Sequence, residues 1–232
     1  MSTRVPNVYT QIPIIRFKSN RKRMAMPTFA DIRGLRFGPL GNHMVHVAVD
    51  MQRLFAGPGD WHTPTLAGIT GAVAKIAAHR PQRSLFSRFL TPQRAEAAIG
   101  QWKHYYRRWE SVTGESLTPG MLDLVPELAT YAASSALIDK YGHSCFDSPA
   151  MRPALERLAA TGLIVTGVET DVCVLATVLS AIDLGLRVVI VEDAVASSSP
   201  AGHVAALEAI YPRYDQQIEV LTSSELLKAW TE

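Results

Sequence analysis

The sequence predicts an α/β fold, a sandwich built around a parallel sheet, and three observations predict it. Six short apolar or β-branched runs are each followed by a segment with helical apolar spacing. The stretch Leu163 to Gly185, LIVTGVETDVCVLATVLSAIDLG, reads as a strand, a tight turn and a helix. Three reactive residues, Asp50, Lys140 and Cys173, fall at the ends of predicted strands, where such sheets collect their functional groups.

In chain order, Val45–Val49 (VHVAV) is the first strand, with Asp50-Met51-Gln52 at its carboxyl end. A loop through Phe55, Gly57, Pro58, Gly59 and Trp61 leads to a helix over Pro64–His79, because Leu66, Ile69, Val73 and Ile76 share one face. Ser84–Leu90 is the second strand. Pro92–Trp109 reads as a helix crowded with Trp102, Tyr105, Tyr106 and Trp109, an aromatic cluster suited to a pocket wall or a subunit contact. Ala136–Asp139 is the third strand, with Lys140 just past its end, and Pro149–Ala160 the helix after it. The fourth strand is Leu163–Val165. Its helix runs from Val172 to Ile182 and stops at Gly185. Arg187–Val191 is the fifth strand, followed by a helix over Pro200–Ile210 that contains His203. Gln217–Leu221 is the sixth, and Ser223–Trp230 a closing helix capped by Ser223 or Ser224.

A chain of 232 residues, 47% apolar and 19% charged, is expected to form one soluble globular domain with ample core. Two cysteines are too few for a disulfide framework and fit a reducing compartment. No apolar run reaches membrane-spanning length and no secretory signal is evident, so the expected location is the cytoplasm, with no membrane partner. Residues 1–37 hold eight lysines and arginines against Asp31 alone, a balance of +7 within a net charge of +2, which leaves −5 for the rest. The first 37 residues are read as a basic N-terminal extension and 38–232 as the domain. Removing the extension is expected to leave folding and catalysis nearly unchanged. The basic run Lys18 to Arg23 lacks interleaved aromatics or a nucleic-acid motif, so no nucleic-acid partner is expected.

Cys173 sits in the first turn of its helix, where unpaired N–H groups and the dipole favour thiolate, the nucleophilic form. Asp50 and Lys140 would share one rim of the sheet with it. Cys145 follows Lys140 closely and offers a different chemistry, a redox sensor in which Cys173 is oxidised and Cys145 resolves it.

These residues resemble the isochorismatase-like cysteine hydrolase superfamily of isochorismatases, nicotinamidases, N-carbamoylsarcosine amidases and biuret hydrolases. The resemblance covers about residues 38–232. It rests on VDMQ at Val49–Gln52, Asp139-Lys140 with SCF at Ser144–Phe146, GVETDVCV at Gly167–Val174, and VEDAVASSS at Val191–Ser199 with His203. It implies a three-layer α/β/α sandwich with a six-stranded parallel sheet and an Asp50–Lys140–Cys173 triad. It further implies a cis peptide at Val168-Glu169 and an oxyanion hole made of the backbone N–H groups of Glu169 and Cys173. The implied activity is hydrolysis of a C–N amide or ureido bond of a small molecule through a thioester. Isochorismatase-type enol-ether cleavage is the alternative within the family. Phe55, Trp61, Tyr141 and Phe146 are expected at the substrate pocket, and a homo-oligomer, dimer or tetramer, is expected. No cofactor or metal is expected. Nicotinamidases carry an Asp-x-His after the second strand, whereas this strand reads Ser87-Arg88-Phe89-Leu90. Asp60-Trp61-His62 imitates that motif in an earlier loop, and Glu169 stands where nicotinamidases have a small residue.

Overall fold

A computed structural model describes residues 26–132 and 136–231. Its centre is a six-stranded, all-parallel sheet in the order β3-β2-β1-β4-β5-β6. The strands are β1 (Met44–Val49), β2 (Ser84–Phe89), β3 (Leu137–Lys140), β4 (Gly162–Val168), β5 (Arg187–Ala196) and β6 (Ile218–Leu221). β1 and β4 are adjacent, and every residue of both is buried. That is why both are almost continuously apolar rather than alternating. Gly167 interrupts β4 for a steric reason: at φ 105°, a Cβ there would meet the Val49 carbonyl oxygen at 2.0 Å.

Eight α-helical segments are described: α1 (Arg53–Ala56), α2 (Leu66–His79), α3 (Trp102–Arg108), α4 (Pro126–Ala129), α5 (Met151–Arg157), α6 (Leu175–Asp183), α7 (Pro200–Ala205) and α8 (Ser223–Ala229). The chain winds outward from β1 through β2 to β3, then from β4 through β5 to β6. Right-handed crossovers in opposite directions place helices on opposite faces, which gives the three layers.

Several elements differ from the sequence expectation. Lys140 is the last residue of β3 rather than beyond it, and β4 and β5 continue to Val168 and Ala196. The helix expected over Pro92–Trp109 is helical only from Trp102, because Gly100 at φ 50° breaks it and a 3₁₀ turn at Ala95–Ala97 precedes it. The helix after β4 opens with a π turn, Thr170–Val174, and stops as expected around Gly185, at φ 76°. The closing helix is capped by Thr222, one residue before the serines expected there. Thr222 and Glu225 form a reciprocal capping box.

The basic extension overlaps the folded unit. Ile32, on a 3₁₀ turn at Phe29–Ile32, is 0% exposed, and Arg33 bridges to Val220 on the outer strand β6. The backbone N–H groups of Arg36 and Phe37 donate to the buried Glu219 carboxylate, which also pairs with Arg187 at 2.7 Å. This segment covers an edge that would otherwise be open to pairing. Deleting residues 1–36 is therefore expected to lower stability by about 2–5 kcal/mol relative to a chain starting at Met26, the usual cost of emptying an isoleucine site. Thermal denaturation of the two truncations measures it, and equal melting temperatures would refute the packing role.

Candidate active site

The site forms where the strand order reverses, at the carboxyl ends of β1 and β4, the usual position for a ligand in an open parallel sheet. Asp50 follows β1 at φ 49°, a left-handed conformation that aspartate tolerates better than most residues. Its N–H donates to Ser87 Oγ at 3.0 Å, and that hydroxyl donates back to Asp50 Oδ1 at 2.5 Å. Asp50 Oδ2 meets Lys140 Nζ at 2.8 Å, and both side chains are 0% exposed.

The pairing explains why lysine serves here. β3 and β1 are separated by β2, which at about 4.8 Å per strand puts them about 10 Å apart. Only a long stem starting at the end of β3 can cross that gap. The stem passes beside Phe89, its register partner, with Nζ 4.5 Å from the ring centroid, and Nζ also donates to the Gly142 carbonyl at 3.1 Å. Burial alone would lower the ammonium's pKa. The Asp50 carboxylate, with smaller contributions from Cys173 and Cys145, outweighs burial and holds Lys140 above the ordinary lysine value.

Cys173 lies in the π turn and is 6% exposed. The helix-start position favours thiolate. Burial instead pushes the thiol well above its ordinary range, the nearby Asp50 charge adds to this, and Lys140 only partly opposes them. The thiol thus lies buried near the Asp50–Lys140 ion pair. His143 Nδ1 stands 3.8 Å from the sulfur. Its imidazole is held below the ordinary histidine value by burial and then by the Lys140 charge. Neither His143 nor Ser87 was singled out from the sequence. The visible signals were a histidine three residues after Lys140 and a serine inside an apolar strand.

The turn carrying Cys173 is latched from several sides. Glu169 Oε1 accepts from Thr63 Oγ1 at 3.0 Å and from the Ser198 N–H at 2.9 Å. Thr170 Oγ1 bonds His203 Nδ1 at 2.8 Å, Tyr211 donates to the Thr170 carbonyl, and Ser197 Oγ donates to Asp171 at 2.6 Å. The 191–199 run and His203, legible as a motif, thus act by holding the turn. The Val168-Glu169 peptide is cis. Cys145 is 0% exposed, donates its N–H to the Thr177 hydroxyl oxygen at 3.0 Å, and is, like Cys173, a free thiol.

A cavity of about 180 Å³ opens onto Cys173. Phe55 and Trp61 line it, joined by Phe89, Tyr105 and Trp109. Tyr141 does not line it. It lies just past the end of β3 and is 62% exposed. Phe146 is also absent from the lining and packs against the core from a 3₁₀ turn at Cys145–Asp147. Asp60 reaches the cavity, but His62 does not. At the end of β2, Arg88 clamps Asp139 through bonds of 2.7 and 2.8 Å. Among the described residues, no group of three or more His, Cys, Asp or Glu converges that could hold a metal ion.

The sequence model of the isochorismatase domain matches residues 44–225. The chain belongs to the isochorismatase-like hydrolase family. Within this family it is 32% identical over 117 residues to isochorismatase domain-containing protein 2 of Bos taurus, a match over 50% of this chain and 53% of that protein. The chain thus spans about half the length of the curated relative it matches. Among solved structures it is similar to a cysteine hydrolase from Pseudomonas syringae pv. phaseolicola, with a TM-score of 0.65 at 21% identity over 85% of this chain and 97% of that one. It is also similar to N-carbamoylsarcosine amidase from Thermoplasma acidophilum, with a TM-score of 0.59 at 21% identity over 78% and 96% of the two chains. At these identities the likeness establishes the isochorismatase-like fold.

Proposed function

We propose that this isochorismatase-family chain is a cysteine hydrolase that cleaves the C–N bond of a small amide or ureide through a thioester on Cys173. The observation that supports it is the buried Asp50–Lys140 ion pair beside a neutral thiol at the end of an aromatic cavity. As the sulfur attacks the substrate carbonyl, its proton passes to Asp50 Oδ2 and the C–S bond forms. The carbonyl oxygen becomes an oxyanion, held by the backbone N–H groups of Glu169 and Cys173. Lys140 stays protonated throughout and stabilises whichever of the carboxylate or the sulfur carries the charge.

When the intermediate collapses, the C–N bond breaks and Asp50 returns its proton to the leaving nitrogen. Water then attacks the thioester and gives a proton to Asp50, and the C–S bond breaks. That proton returns to sulfur, restoring the thiol.

The test uses the purified full chain with a panel of small amides and ureides. Ammonia or amine release is followed, and samples are quenched in acid for mass spectrometry. The expected result is turnover accompanied by an acyl adduct on the Cys173 peptide that hydroxylamine removes. Turnover with the adduct elsewhere, or no turnover across the panel, would count against the reading.

A further inference from the structure

The cavity in front of Cys173 combines aromatic walls with uncompensated carboxylates. Trp61 is its hub: its ring stacks on Phe55 at 5.9 Å between centroids, meets Phe89 edge-on at 5.6 Å, and lies 5.9 Å from Tyr105. Trp109 adds a second indole. Two acidic side chains, Glu169 and Asp60, line the same cavity. Both hydrogen bonds to Glu169 fall on Oε1, and Oε2 accepts none from the described residues. Asp60 Oδ2 accepts from Ser111 Oγ, and its Oδ1 is likewise unused by the described residues.

No lysine or arginine is among the described residues that line the cavity. Lys140 lies behind Phe89, its charge matched by Asp50. Arg108 stacks over the Trp109 ring at 5.2 Å but is not part of the lining. His143 does line it and, held below the ordinary histidine value, brings no positive charge at neutral pH.

Resting on the function proposed above, we infer that the substrate carries a positive charge, an ammonium or amidinium group, next to its scissile amide. Aromatic faces attract such a cation through their quadrupoles, and the two carboxylates supply its counter-charge. Glu169 and Asp60 are then specificity-determining residues. A carboxylate-bearing substrate meets two like charges and no cation to receive it, and like-charge juxtaposition is an effective means of rejection. Glu169 also adjoins the oxyanion turn, so a cation bound there is fixed relative to the carbonyl that Cys173 attacks.

The test reads the charge preference of the cavity without needing a substrate. Three methanethiosulfonates of similar size, carrying trimethylammonium, uncharged and sulfonate tails, are reacted with the purified chain. Modification of the Cys173 peptide is followed by mass spectrometry, and each rate is divided by that with a free thiol in solution. The trimethylammonium reagent is expected to react faster than the sulfonate by on the order of tenfold or more at low salt. That ratio should shrink as salt is added, and Glu169→Gln and Asp60→Asn should each reduce it several-fold. Equal normalised rates, or a faster sulfonate, would overturn the inference while leaving the hydrolase reading intact. If no reagent reached Cys173, the thiol would not face the cavity and both would fall. A second measurement compares kcat/KM for a trimethylammonium butanamide, its tert-butyl isostere and its carboxylate-tailed counterpart. The inference predicts that order of preference, and a preference for the carboxylate would refute it.

Discussion

Cys173→Ala is expected to abolish turnover, with a loss on the order of 10⁶-fold, the scale seen when a covalent nucleophile is removed from its catalytic set. The side chain is small and 6% exposed, so the fold should survive with a loss of about 1 kcal/mol for the void left by sulfur. The second cysteine is the matched control. Cys145 is completely buried and its N–H is tied to Thr177, so it has no path to a substrate in the cavity. Cys145→Ser is expected to retain most activity. Ammonia release, together with a thermal melt of each variant, makes the comparison. If Cys145→Ser were inactive while folded and Cys173→Ala remained active, the nucleophile would have been assigned to the wrong thiol.

Asp50→Asn is expected to move two properties of Cys173 in opposite directions. Burial and the Asp50 charge together hold the thiol up, and Lys140 pulls it down. The amide removes the raising influence of the Asp50 charge and leaves the Lys140 charge without its counter-ion. The thiolate becomes the natural partner for that ammonium, so the thiol pKa falls. Alkylation of Cys173 by iodoacetamide at neutral pH should accelerate, and its rate-versus-pH curve should shift to lower pH. Hydrolysis should fall by roughly 10²–10⁴-fold, the usual contribution of a proton-transfer group, because an amide can neither take the sulfur's proton nor return it to the leaving nitrogen. Lys140→Ala is the converse control and should shift the alkylation curve upward. Slower alkylation of Asp50→Asn, or hydrolysis left intact, would show that Asp50 does not serve as the base.

Both experiments turn on the surroundings of Cys173, which local sequence does not show. The position of Cys173 at a helix start argued for thiolate through the dipole. That local effect is worth about 1 kcal/mol or less at an exposed helix end, and burial beside a carboxylate opposes it more strongly. The extension shows the same limit. Its composition marked residues 1–37 as basic, but composition does not show that Ile32 and the backbone of Arg36 and Phe37 fill the edge of β6. The helix expected over Pro92–Trp109 had its aromatic residues correctly spaced, while the left-handed turn at Gly100 split it.

The features legible in the sequence are local or periodic. They include the alternation of six strands with helices, the turn around Gly167–Val174, and the placement of Asp50 and Lys140 at strand ends. Each follows from side-chain period and backbone preference within a few residues. The tertiary structure alone decided which charges meet. It brought Lys140 across β2 to Asp50, set His143 3.8 Å from the Cys173 sulfur, left Tyr141 outside the cavity lining, and gathered Asp60 and Glu169 in one cavity with Trp61 and Trp109. Protonation and cavity lining depend on desolvation and on groups distant in sequence, so no local pattern encodes them.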